Sequence, residues 1–202
     1  MEGLTFYWIA WFFWVIATFM LKKKHINRLR QSIWILLLII FSPYSFFLFD
    51  MEISLASLIL VIPLFIVIVR MKKLIAAHLL FCSFIIMLSY VCFHLFELYD
   101  PVWIIVPRIW MLTVLLISLS IVLQTNKLYR IFIILFGSIQ GEFLYALILK
   151  KYTFPHVIGS FAFLDVIALS TIIIAAWNGL EYLSTFYEKH LNQIEKEKQK
   201  LS

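Results

Sequence analysis

The sequence predicts an all-α fold: a polytopic bundle of seven transmembrane helices, N-terminus outside the cell and C-terminus in the cytoplasm. Three observations predict it. Seven apolar runs divide the chain, and each, at about 20 residues, is long enough to cross a hydrocarbon layer about 30 Å thick. The composition is 64% hydrophobic and 14% charged, whereas soluble domains are roughly 45–50% apolar and about 25% charged. Lysine and arginine collect in alternate gaps between the runs, which is the positive-inside pattern.

The first run, residues 4–21, has no basic residue before it and Lys22, Lys23 and Lys24 directly after it. That is the pattern of a retained helix with an outside N-terminus, not of a cleaved signal. The second run, 32–49, is separated from the third, 53–69, only by Asp50, Met51 and Glu52, so these two helices are expected to be antiparallel neighbours. Arg70 to Lys73 joins the third to the fourth, 74–96, in the same way. The fifth, sixth and seventh runs cover 102–123, 131–149 and 157–180. The first, third and fifth gaps hold Arg28, Arg30, Arg70, Lys72, Lys127 and Arg130 among their cations. Glu2, Glu52, Glu97 and Asp100 mark the other side, where only Lys150 and Lys151 break the asymmetry. Pro43, Pro63 and Pro107 fall within runs and are expected to kink their helices.

Residues 1–180 therefore read as one transmembrane domain and 181–202 as a short cytoplasmic helical tail. Leu183, Tyr187, Leu191 and Ile194 share one face of that tail, which is either a solvated extension of helix seven or a docking surface for a membrane or cytoplasmic protein. The net charge of +6 comes from residues flanking the runs, so the expected partner is the lipid bilayer and not nucleic acid. Cys82 and Cys92 lie ten residues apart, about 15 Å along a helix, too far for a disulfide. Gly137 and Gly141 have the i, i+4 spacing that lets helices approach closely, read here as internal packing of helix six.

Ionisable residues inside a span cost about 2.5–3.5 kcal/mol on insertion scales and raise a functional hypothesis. Arg108, Glu142 and Asp165 lie six, seven and eight residues inside the outer ends of runs five, six and seven. At 1.5 Å per residue all three sit roughly 9–12 Å deep, so one base and two acids are expected to form a common buried cluster. One guanidinium neutralises one carboxylate. The other must be protonated, meet a cation or be reached by a water-filled cavity. His94, Glu97, Gln140, Tyr145, His156 and Ser160 are the polar residues that extend such a site. His94, Glu97 and His156 are too sparse a set to predict a metal.

Two functions fit this pattern. One is a small transporter or proton/cation-linked permeation protein using Arg108, Glu142 and Asp165. The alternative is a structural or interaction protein in which the triad clamps three helices. A third reading, an enzyme acting on a lipid-like substrate, would have Ser160, His156 and Asp165 to draw on, but no HExxH, GxSxG or Walker motif is present, so enzyme activity is the least favoured of the three readings and no cofactor is expected. No lysine lies in the seventh run, against a retinal Schiff base, and the His-x-x-x-His pair of alkaline ceramidase-like hydrolases is missing.

The opening Met1-Glu2-Gly3, the aromatic first run from Phe6 to Trp14, and the length and hydropathy of the whole chain resemble the small YphA-type integral membrane proteins of Bacillus and its relatives. The resemblance implies a multi-pass protein of the bacterial cell membrane. It implies no assigned activity and brings no functional residues to carry over.

Overall fold

Backbone polar groups in lipid must be satisfied within the protein, and a helix does so within one segment. The computed structural model describes residues 2–20, 28–48 and 51–201, with side chains described up to Glu188. Seven α-helices form among the described residues. They are α1 (Leu4–Val15), continued by a π-helical turn over Ile16–Met20, α2 (Arg28–Phe41), α3 (Leu55–Arg70), α4 (Lys73–Tyr99), α5 (Arg108–Leu123), α6 (Lys127–Lys151) and α7 (Phe161–Leu201). By length and composition, α4, α6 and the Phe161–Glu188 part of α7 are able to cross a membrane, while α1 with its π turn, α3 and α5 are shorter apolar helices. The 16 residues of α3 or α5 reach about 24 Å, short of a hydrocarbon core of about 30 Å.

The all-α expectation needs one correction. A three-stranded sheet, in the order β1-β2-β3, stands at one end of the bundle. Strands β1 (Ser45–Leu48) and β2 (Met51–Ser54) form an antiparallel hairpin, and β3 (Val157–Ile158) pairs parallel to β2, with Ile53 opposite Ile158. The second run does not stay helical to residue 49. It stops at Phe41 because Pro43 offers no N–H and pushes its predecessor out of the α region. The apolar residues beyond it satisfy their backbone across the hairpin instead. Residues 157–158 of the seventh run are likewise strand, and α7 starts only after Gly159, whose φ of +76° is left-handed. Pro107 stands at the N-cap of α5, so residues 104–107 are not helical, and of the three prolines only Pro63 sits inside a helix. Helices α2 and α3 are neighbours as expected, with the hairpin between them in sequence. Lys22, Lys23, Lys24 and Asp50, whose charges help to assign sides, lie outside the described residues.

The core is built around α7 and the α4–α6 pair. Residues 163–170 are buried without interruption, the mark of a helix enclosed on all sides. They pack with Phe6, Ile86, Tyr90, Leu112 and Leu116. Helices α4 and α6 make the most extensive pairing in the chain, and the reason lies in two glycines. A Cβ on Gly137 would stand 2.6 Å from Ile86 Cβ and 2.7 Å from the Ser83 carbonyl oxygen, and one on Gly141 2.8 Å from the Tyr90 ring. The Gly-x-x-x-Gly ridge is therefore the groove into which α4 settles. Helix α7 runs on without a break to Leu201, so the tail is helical. The Leu191 and Ile194 positions of its apolar face lie beyond the described side chains.

Gly137 faces backbone on α4, which cannot swing aside. Gly137→Leu is expected to destabilise the full chain in detergent by about 1–3 kcal/mol, the cost of overpacking. Gly179, where an added Cβ would have nothing within 4 Å, is the control, since Gly179→Ala should be neutral or gain about 0.5–1 kcal/mol of helix preference. Thermal melting of both variants checks this, and equal melting temperatures would refute the close-packing role.

Candidate functional site

Tyr90, His94 and Glu97 follow one another at i, i+4 and i+7, so they form a polar stripe down one face of α4. Glu142 and Tyr145, at i and i+3 on α6, meet that stripe. Glu142 is 2% exposed, and a carboxylate so enclosed needs its oxygens satisfied. The Tyr90 hydroxyl donates to Oε2 at 2.5 Å, the Gly159 N–H donates to Oε1 at 3.3 Å, and His156 Nε2 lies 3.0 Å from Oε1. Gly159 approaches this closely because it carries no side chain: a Cβ would stand 2.6 Å from Ser57 Cβ.

A chain of rings continues from Glu142. Tyr90 and His94 have centroids 4.6 Å apart, His94 stacks on Tyr145 at 5.0 Å, and His156 meets Tyr145 edge-on at 5.1 Å. His94 Nδ1 lies 3.2 Å from Glu97 Oε2, while its Nε2 is buried and has no partner among the described residues. Arg108, at the start of α5, reaches Glu97 at 3.5 Å and Glu2 at 3.9 Å. These groups line one cavity of about 530 Å³ that includes Ser160, Pro155 and Phe163. The volume falls within the roughly 300–1,000 Å³ usual for small-ligand sites.

Of the sequence-predicted residues, Arg108, Glu142, His94, Glu97, Tyr145, His156 and Ser160 all face this cavity. Gln140 is not part of its lining, and two residues of helix turn it to a different face from Glu142. Asp165 does not join the cluster either. It is 1% exposed and caps the first helix from across the bundle, accepting from the Gly3 N–H at 2.7 Å and the Phe6 N–H at 2.6 Å. Both donors belong to a helix N-terminus, where N–H groups have no intrahelical partner and a negative charge is favoured. The Arg–Glu–Asp triad is thus resolved into separate arrangements. Arg108 pairs with Glu97 and Glu2, Glu142 is bonded by Tyr90, His156 and Gly159, and Asp165 holds α1.

Two residues escaped the sequence reading. Tyr90 was legible, since it extends the His94–Glu97 stripe by one turn. Arg130, read only as a flanking charge, is 6% exposed at the other end of the bundle. Its Nη1 donates to Glu181 at 2.7 Å and Asn178 at 3.1 Å on α7, and its Nε donates to the Gln124 carbonyl at 2.8 Å. Nothing in the spacing of a gap cation separates such a clamp from a solvated one. Among the described residues, no three His, Cys, Asp or Glu side chains are grouped to hold a metal, and Cys82 and Cys92 are both free.

A mostly helical chain of this hydropathy, with charge buried only where it is bonded, is an integral membrane protein. It belongs to the YphA-like integral membrane protein family, whose profile matches residues 2–200. It is 26% identical to the uncharacterized protein YphA of Bacillus subtilis over 186 residues, 92% of each chain. No solved structure matches it. The family places the chain in the lipid bilayer, and the cell membrane is its location.

Asp165→Leu leaves two buried N–H groups unpaired at the start of α1. It is expected to cost roughly 1–3 kcal/mol for each, read as a lowered melting temperature of the full chain. Asp165→Asn keeps one acceptor oxygen and should fall between. Unchanged melting of the leucine variant would show that the cap contributes nothing.

Proposed function

We propose that this chain spans the cell membrane seven times, N-terminus outside and C-terminus in the cytoplasm, and takes up a proton or small cation from outside at Glu142. The observation that carries the reading is a carboxylate buried at the wall of a polar cavity and bonded, among the described residues, to a phenol, a backbone N–H and an imidazole. Arg108, the arginine of the same cavity lining, is turned to Glu97 and Glu2 instead, which leaves Glu142 facing what the cavity delivers. His156, 23% exposed against 3% for the Glu142 side chain, stands between cavity and acid. A proton arriving on its ring is one hydrogen bond from Oε1, the distance at which transfer between a base and an acid becomes direct. The unpartnered His94 Nε2 offers a second acceptor, and the Glu97–Arg108–Glu2 set gives the mouth an acidic excess that favours cations.

The orientation follows from the charge asymmetry of the gaps. The shorter α1, α3 and α5 fit it where the hairpin, the Pro101–Trp103 turn and β3 add protein depth at one end, since non-helical backbone is tolerated when it lies against protein.

The alternative, a structural protein, is favoured by Asp165, whose bonds to α1 are those of a clamp. The two readings part at Glu142. Reconstituted full-length protein is expected to acidify vesicles under an imposed potential, followed with an enclosed pH-sensitive dye. Glu142→Gln, melting within a few degrees of wild type, is expected to abolish the signal, and His156→Gln to slow it by about 10²-fold or more, the usual contribution of a positioned acid–base group. A wild-type protein that moves no protons, or a Glu142→Gln variant that keeps the wild-type rate, leaves the structural role standing. Single cysteines placed at Glu2 and Glu188 in a chain without Cys82 and Cys92 test the orientation. Only the first should react with an impermeant thiol reagent added outside intact cells.

A further inference from the structure

A second cavity, of about 620 Å³, lies between α1, α2 and α3 on one side and α6 and α7 at its back. Its walls are aliphatic and aromatic for nearly their whole length, with Leu38, Leu60, Leu135, Leu164 and Ala168 among them. Apart from Thr171 on α7, its hydrogen-bonding side chains lie at one end, where Arg30 and Gln31 open α2 and Arg70 closes α3. None of the lining residues is acidic. Neither Arg30 nor Arg70 has a hydrogen bond or ion pair among the described residues, whereas Arg28, two positions away, donates to the Thr18 carbonyl. Both guanidiniums lie on the side where basic gaps alternate.

Length decides what such a groove accommodates. Its lining on α3 runs from Leu60 to Arg70 and on α1 with its π turn from Phe6 to Ala17, about 15–17 Å of helix in each case. That is half of a hydrocarbon core about 30 Å thick, one leaflet deep. Trp34, one turn from Arg30 on the same wall, sits at the level where an amphipathic ring prefers the interface.

We propose that this groove is a binding site for an anionic phospholipid of the leaflet on the basic side, with one acyl chain along the apolar walls and the phosphate between Arg30 and Arg70. An apolar slot alone would not prefer one lipid over another, because a chain in the groove exchanges with an identical chain in bulk lipid. The charge supplies the preference. A planar guanidinium fork matches phosphate oxygens bidentately, and the groove lining offers these two arginines no carboxylate as a competing partner.

The test uses the full chain reconstituted in vesicles of phosphatidylcholine with a minor share of phosphatidylglycerol, extracted in mild detergent, washed and analysed for retained lipid. The wild type is expected to retain phosphatidylglycerol enriched about thirtyfold over its share, about fivefold for each arginine near the surface. Arg30→Gln with Arg70→Gln should lose that enrichment, and Arg28→Gln should keep it. Leu38→Trp, which fills the slot without touching either arginine, should cut retention of both lipids and keeps the comparison informative if the double variant does not fold. Equal retention of the two lipids by the wild type, no retained lipid, or a double variant that keeps the wild-type enrichment overturns the proposal. So does an Arg28→Gln variant that loses as much as the double variant.

Discussion

The carboxylate of Asp165, turned onto the first helix, is the contact on which the arrangement of the bundle depends. A helix N-terminus in an apolar surrounding has donors it cannot satisfy, and a carboxylate there has a charge it cannot solvate. Each is intolerable alone and the two cancel when they meet. The geometry of the meeting explains Gly3, whose φ of +88° is left-handed and whose missing Cβ leaves room for Phe161, 2.7 Å from where it would be. With the start of α1 fixed against α7, Glu2 is carried to the rim of the polar cavity, within reach of Arg108. The contact thus secures packing and finishes the cavity at once.

The second constraint is the closeness of α4 and α6. Two glycines let the helices touch backbone to side chain, and it is this approach that brings the Tyr90 hydroxyl onto Glu142. A bulkier residue at Gly141 would meet the Tyr90 ring itself. Packing and chemistry therefore share a residue: the ring that fills the glycine groove also donates the shortest hydrogen bond to the buried acid. A phenol is suited to both, being large and apolar in body with a polar tip that finds a partner.

Much of this is legible in the sequence, and what is not has a physical cause. Hydropathy locates all seven helices, because an apolar run in lipid has few other ways to satisfy its backbone. It does not separate helix from strand at the ends of runs two and seven, where Ser45–Leu48 and Val157–Ile158 are as apolar as the helices they adjoin. Pro43 and Gly159 carry the signal, and reading the proline as a kink instead of a stop hides the hairpin. Arg108, Glu142, His94, Glu97, Tyr145, His156 and Ser160 do meet at one cavity, although Arg108 stands at the first residue of α5 with its side chain 40% exposed and not buried within a helix as expected. Rotation about the helix axis is not readable for residues isolated on their helices. Asp165 therefore turns in a different direction, onto the start of α1, and the cation expected beside it stands beside Glu97 instead. Where polar residues stand three or four apart on one helix, as His94 and Glu97 on α4 or Glu142 and Tyr145 on α6, the 3.6-residue period gives them a common face. Gln140, two positions from Glu142, falls off it.

One element is common to every one of these features. The strand and helix from His156 to Glu181 supply the imidazole and the N–H that bond Glu142, the carboxylate that caps α1, the back wall of the apolar groove at Leu164 and Ala168, and the Asn178 and Glu181 side chains that hold Arg130. Residues 163–170 between them are buried all round, and a close-packed interior transmits displacement instead of absorbing it. A shift of α7 along its axis would pull at both the Asp165 bonds to α1 and the Arg130 bonds to Asn178 and Glu181. The cavity at one end and the groove beside α2 share α7 as a wall, with Phe163 and Val166 lining the first and Leu164, Ile167 and Ala168 the second.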